Sequence, residues 1–206
     1  TSLPEVGEEP TYNELVAIRN AIKQNYASIP TQLGGGAYGY LGGLLSAEEY
    51  ELLAPGTPFT APPHPGPQPV IEHATTAVVS SNMLRIFSEA SRDWKEWSNL
   101  ERASKKQLQA ALPKALLASQ MCPNRGLNYL STQAVLAQLF LDWGYLSQQD
   151  LVANRHRLSE EWDANRPFTD LIQRVQEVQE YARDGQRPIS EHDIVDAIYT
   201  VVYNTG

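Results

Sequence analysis

Along most of the chain, apolar residues recur every three or four positions, a rhythm that predicts helices. Leu15, Ile18, Ala21 and Ile22 share one face, and Thr11 with Glu14 forms a capping box ahead of them, so a first helix is expected to end near Ser28, before Pro30. Ser46 with Glu49 repeats the signal for a short helix over 47–53. From about 72 to 121, Val78, Val79, Met83, Ile86, Phe87, Ala90, Trp94 and Trp97 keep close to a 3.6 period, continued by Leu100, Leu108, Leu112, Leu116 and Leu117. Pro113 removes a backbone donor, so this run is expected to split into a long helix to about 110 and a shorter one from 113. After a turn at Pro123, Asn124 and Gly126, three more helices and a final one follow. The first runs from Ser131 or Thr132 through Trp143, with Val135, Leu136, Leu139 and Phe140 inward. The second is capped by Ser147 and covers about 148–161. Pro167 opens the third, which carries Leu171, Ile172, Val175, Val178 and Tyr181 to Gly185. Ser190 caps the last, with Ile194, Ile198, Val201 and Val202 inward.

Two stretches break the rhythm. Gly34 to Gly43 holds six glycines, with Tyr38 and Tyr40 among them and Tyr50 after. Positions 55 to 69 hold seven prolines in fifteen residues, which forbids a helix or a central strand and predicts an extended, polyproline-like loop or strap. No alternating runs joined by hairpin turns occur, so the fold class is expected to be all-α. Residues 1–10 read as a flexible arm.

The glycine run raises a question of chemistry, because such a loop can cradle a phosphate. It lacks the Gly-Lys-Ser/Thr ending of a nucleotide loop, and no lysine lies between Lys23 and Lys95. A helix precedes it, where a dinucleotide site needs a buried strand. A structural loop is the better reading, with glycines allowing close packing or positive φ and tyrosines filling the space between. His64, His73, His156 and His192 fall in unrelated contexts without metal-ligand spacing. Glu48-Glu49 and Glu160-Glu161 are adjacent pairs that diverge on a helix surface. No nucleophile elbow or Cys-His signature occurs. The expectation is a protein without catalytic residues, cofactor or metal.

A net charge of −8, with only 16 Lys and Arg and no basic run, makes the chain a poor nucleic-acid binder by itself. The densest cationic group, Arg102, Lys105 and Lys106, reads as the solvated face of a helix. The single Cys122 forms no internal disulfide and reads as a small buried hydrophobe, which suits a reducing compartment. No apolar stretch is long enough to span a membrane, and the acidic start is unlike a signal peptide. Trp94, Trp97, Trp143 and Trp162 suit packing, either in cores or against copies of the same chain.

IPTQLGGGAYGYLGGLLSAEEY followed by PGTPFTAPPHPGPQP, and later LAQLFLDWGYL, LSEEWD, PFTDLIQRVQEVQEYA and a Gly-x-x-Pro-Ile-Ser turn, together resemble Gag-like polyproteins of copia-type retrotransposons, particularly those of diatoms and other protists. The resemblance covers about 29–206. It implies a two-domain, retroviral capsid-like helical fold carrying the Gly-rich loop and the Pro-rich strap. The N-terminal domain is expected over 11–145, with the 55–69 loop inside it, and a C-terminal domain over 146–206, short enough to be truncated. It also implies a structural protein whose copies assemble into a virus-like particle enclosing the element's RNA, located in the cytoplasm. The zinc knuckle or basic tail that holds RNA in such proteins has no counterpart here, so RNA is expected to be held by a region absent from this chain, and no membrane is involved. Candidate structural or assembly residues are Gly34, Gly35, Gly36, Tyr38, Tyr40, Trp143, Trp162 and Phe168. The alternative is a domesticated Gag-derived adaptor that binds partner peptides or proteins in a helical groove.

Overall fold

The computed structural model describes residues 2–71 and 76–205, and all its regular structure is helical. The elements are α1 (Tyr12–Ala27), α2 (Ala47–Leu53), α3 (Ala77–Ala111), α4 (Lys114–Leu117), α5 (Thr132–Trp143), α6 (Gln148–His156), α7 (Phe168–Asp184) and α8 (Glu191–Thr205). Among the described residues, extended pairing is limited to an isolated bridge between Cys122 and Gly126, which closes the turn after α4. His73 and the helix start expected from about 72 lie outside the described residues.

Local signals place the helix starts. The capping boxes at Thr11 with Glu14 and at Ser46 with Glu49 form in full, and Ser147 with Asp150 makes a third. Each satisfies backbone donors that the first turn of a helix leaves free. Pro113 is the N-cap of α4, so the break after α3 falls where a missing N–H costs nothing. Pro167 likewise sits at the N-cap of α7, one residue before the helix proper. The helix expected to reach 161 stops at His156 and tightens into a 3₁₀ turn over Arg157–Ser159.

The chain divides into two compact units, one up to Leu139 and one from Phe140, so the division falls within α5. The sequence places its boundary at 145/146, by the glycine that ends this helix. In the first unit, Leu15, Ile18, Ile22 and Tyr26 form the buried stripe of α1. Leu100, Leu108 and Ala111 bury the C-terminal third of α3, and Leu116, Leu117, Leu127, Val135 and Leu139 complete the interior. Within the expected flexible arm, the Val6 N–H donates to the Ala111 carbonyl at 3.3 Å.

The helix α3 departs from its periodicity in an informative way. Its 35 residues make a rod of about 52 Å. Only its C-terminal part joins the core, while Val78, Val79, Met83 and Ile86 are exposed. Period sets which residues share a face; whether another element covers that face is a separate matter.

The basic cluster read as a solvated face is corrected. Arg102 and Lys106 are exposed, but Lys105 is buried. Its ammonium donates to the Leu130 carbonyl at 2.7 Å and pairs with Glu101 at 3.3 Å. Glu101, itself buried, also accepts from the Tyr26 hydroxyl at 3.0 Å and from the Thr132 N–H at 2.9 Å. One carboxylate thus ties α1, α3 and the start of α5 together. Burial, reinforced by the Glu101 charge, pushes the Tyr26 hydroxyl far above the ordinary tyrosine range.

In the second unit, Leu158, Leu171, Val175, Val178, Ile194 and Val201 form the core, with Trp162, Ile189, Ala197 and Ile198 packed on it. The buried Asn154 amide of α6 donates to the Val178 carbonyl at 2.9 Å, which fixes α6 against α7. Val202 of α8, expected inward, is exposed, whereas Ile194 and Val201 of the same helix are buried; on α7 the buried stripe runs through Leu171, Val175, Val178 and Ala182 and leaves Ile172, also expected inward, exposed.

Candidate functional site

The glycine-rich loop of the first unit is a floor for aromatic rings. Gly34, Gly35 and Gly36 all have positive φ, at 56°, 77° and 77°, so the chain reverses through conformations that other residues enter at a cost. Tyr50, from α2, reaches back and donates to the Gly34 carbonyl at 2.8 Å. Tyr38, partly exposed, meets Tyr50 edge to face at 6.5 Å.

Tyr40 is fully buried. It stacks on Trp97 of α3 at 5.9 Å between ring centroids and donates its hydroxyl to Glu96 at 3.2 Å. Burial raises its pKa, and the Glu96 carboxylate adds to that. Phe59, the one large aromatic residue of the proline strap, lies against Tyr40, Tyr50 and Trp97 at 6.4, 6.0 and 5.7 Å. Trp97 also meets Tyr26 edge to face at 6.1 Å. Each such pair contributes about 0.5–1.5 kcal/mol beyond the apolar area it buries. The glycines make room for this cluster: a methyl group on Gly43 would run into the Trp97 ring, and one on Gly42 into Phe59.

Several amides of the loop bond within the fold. The N–H groups of Gly36, Tyr40 and Gly43 donate to the carbonyls of Leu33, Tyr26 and Tyr40 at 3.0, 3.0 and 2.9 Å. A phosphate cradle needs such donors converging on open space. These are turned inward, holding the loop to itself and to the end of α1.

Beside the cluster runs a groove of about 540 Å³, lined by Pro62, Trp94, Trp97, Arg102, Tyr129 and Ser131 among others. Glu101 and Lys105 also border it, each engaged in the buried network described above. Farther along α3, the strap residue His64 meets Trp94 edge to face at 4.4 Å.

The remaining candidates lie in the second unit. Trp143, at the end of α5, is partly exposed. Trp162 and Phe168 meet edge to face at 5.7 Å, with Phe168 half exposed at the start of α7. The turn that carries Trp162 is clamped by Arg174, which donates to the carbonyls of Glu160 and Glu161 at 2.9 and 3.3 Å. The eight candidates divide between the two units. Gly34, Gly35, Gly36, Tyr38 and Tyr40 belong to the aromatic floor of one unit, while Trp162 and Phe168 form a separate pair in the other.

Phe59, Glu101 and Lys105 were not among the candidates. A lone phenylalanine within the proline stretch was the available signal for the first. For the other two it was Glu101 four residues before Lys105, on the same helix face as Leu108.

Among the described residues, no group of three or more His, Cys, Asp or Glu side chains is placed to hold a metal ion. No helix of the described residues is long and apolar enough to cross a membrane. No family model, curated protein or solved structure matches this chain.

Proposed function

We propose that this chain is the structural Gag protein of a retroelement, whose copies assemble into a virus-like particle around the element's RNA in the cytoplasm. In this reading the two units are the N-terminal and C-terminal capsid-like domains, and the protein performs no catalysis. The observation that carries the proposal is the placement of large apolar side chains. Both units have their own buried core, yet both also expose apolar residues along helices: Val79 and Ile86 on α3, and Val195, Tyr199 and Tyr203 on α8. A shell protein needs this arrangement, because small contacts repeated by symmetry give a closed assembly its avidity. The sequence resemblance supports the same reading independently of those surfaces. With a net charge of −8, RNA contacts fall to sequence outside these residues.

The adaptor reading draws on a different feature, the aromatic-lined groove beside Trp94, Trp97 and Tyr129, which has the chemistry of an extended-peptide site. Electron microscopy with light scattering on the purified chain, across concentration and salt, separates the two. Closed particles of uniform diameter support the shell. A strict monomer that captures extended peptides in the groove supports the adaptor and overturns the shell.

A further inference from the structure

The N-terminal half of α3 carries an open apolar seam. Val79, Met83, Ile86 and Ala90 follow one another at steps of four, three and four residues, which brings them onto a single line along the helix. All four are exposed, at 50 % for Val79, 38 % for Met83 and 54 % for Ile86. The proline strap leaves this line open: His64, Pro65 and Gln68 border a groove with Leu84, Phe87 and Ser91, which lie on the neighbouring face.

We infer that this seam pairs with the same seam of a second copy, the two helices running antiparallel. Three observations select that occupant. First, the line is complementary to itself when reversed. Val79 then lies opposite Ala90 of the second copy, and Met83 opposite its Ile86, so large faces small at the ends and the two long side chains meet at the centre. Second, the stretch from Ala77 to Asp93 is electrically neutral, with Arg85 and Arg92 balancing Glu89 and Asp93, although the chain carries −8. Arg85 pairs with Glu89 at 2.8 Å and Arg92 with Asp93 at 3.1 Å. Two copies can approach here without the repulsion that the rest of the surface imposes, and a charged partner gains no attraction. Third, the next step of the line is Asp93. In a parallel pair it would face its own copy across the seam, a like-charge contact. In the antiparallel pair it faces Thr76, whose hydroxyl can donate to the carboxylate.

The pairing is weak by itself, since four side chains fall well short of the roughly 20–30 residues a side of a stable interface. It rests on the shell reading for the high local concentration that makes such a contact effective.

The test combines sedimentation velocity across concentration with cysteine cross-linking in a Cys122→Ser background. The double variant Met83→Glu/Ile86→Glu should weaken self-association tenfold or more while circular dichroism is unchanged, because both side chains are exposed. Chains bearing Val79→Cys alone should not cross-link to one another, whereas a mixture of Val79→Cys chains with Ala90→Cys chains should. Unchanged association of the double variant, cross-linking of Val79→Cys alone, or a wild-type monomer at every concentration would overturn the pairing. The two readings fail separately. Particles that persist in the double variant sink the seam and leave the shell, while Val79→Cys and Ala90→Cys chains that cross-link as expected, in a protein that builds no particles, keep the seam and sink the shell.

Discussion

The α-carbon of Gly185 lies against the side chain of Leu151, and the left-handed turn that ends α7 falls one residue later, on Gln186. The Gln186 and Arg187 N–H groups donate to the carbonyls of Arg183 and Ala182, both at 2.9 Å, closing the helix with paired reverse bonds. A glycine usually takes the left-handed place in such an ending. Here the glycine is held one position earlier by close packing, and glutamine, with φ of 56°, bears the strain. Gln186→Gly should therefore stabilise the second unit by about 1 kcal/mol. Gly185→Ala should destabilise it by about 1–3 kcal/mol, since its methyl group meets Leu151. Because the chain has two units, the measurement should be local: amide exchange within α7, slower in the first variant and faster in the second.

Glu101 engages Tyr26, Lys105 and Thr132 at once, and its removal should be correspondingly costly. Glu101→Ala leaves the Lys105 ammonium buried without its counter-charge, a loss of about 3–5 kcal/mol. Tyr26→Phe removes one hydrogen bond to the same carboxylate and should cost about 1.5–3 kcal/mol. Urea unfolding followed by Trp97 fluorescence would rank the two; equal costs would mean that the ion pair adds nothing. The raised Tyr26 pKa has a definite sign. The folded state favours the neutral phenol, so its contribution is fully present below the unfolded tyrosine value of about 10 and is lost as pH rises through the folded value. In an alkaline absorbance titration, at least one of the ten tyrosines should stay silent until the first unit unfolds.

What the sequence discloses is mostly what neighbouring residues decide among themselves. The capping boxes at Thr11, Ser46 and Ser147 are legible because donor and acceptor lie three residues apart. So is the break at Pro113, where one missing N–H is sufficient. The fate of a face depends instead on partners distant in sequence. Val79 and Leu108 obey the same period, yet one is exposed and the other buried. Lys105 and Lys106 look alike as neighbours in a charged run, and only Glu101 and the Leu130 carbonyl, reached through the fold, distinguish them. The candidate residues divide in the same way. The glycine loop is legible as a run of small residues among tyrosines, but the rings packed on it, Phe59 and Trp97, lie 16 and 54 residues beyond Gly43.

Two capping boxes should respond to acid. The Glu14 carboxylate accepts from the Thr11 N–H and hydroxyl, both at 2.8 Å, and the backbone bond is the larger cause of its lowered pKa. Asp150 is lowered likewise, first by the Ser147 hydroxyl and then by its N–H. A depressed pKa means that the contribution is present above the unfolded values of about 4.3 and 3.9 and is lost as pH falls through the folded ones. The Thr11 and Ser147 amides should thus lose hydrogen-exchange protection on acidification with midpoints below the ordinary carboxylate range. Midpoints at the unperturbed values would show that the boxes do not hold in solution.

Gly43 offers the sharpest test of what the glycine-rich loop is for. A phosphate-binding loop would tolerate a methyl group directed away from the ligand and would lose ligand affinity from one directed toward it. A loop that supports aromatic rings fails differently. The added carbon of Gly43→Ala points into the outer edge of the Trp97 ring, which is held on its other sides by Tyr26, Tyr40 and Phe59. The ring has little room to yield, so the substitution should cost about 1–3 kcal/mol and shift Trp97 emission as the stack opens. Phe59→Ala should reproduce part of the effect from the other side, by releasing the strap and leaving a cavity, at about 3–5 kcal/mol if the site does not collapse and less if the strap detaches. Combining the two variants reads their coupling, because the Gly43 methyl group should cost less once the Phe59 ring is gone and Trp97 can move into its place. Strict additivity would mean that loop, strap and α3 are held independently, and the aromatic floor would then have no role in joining them.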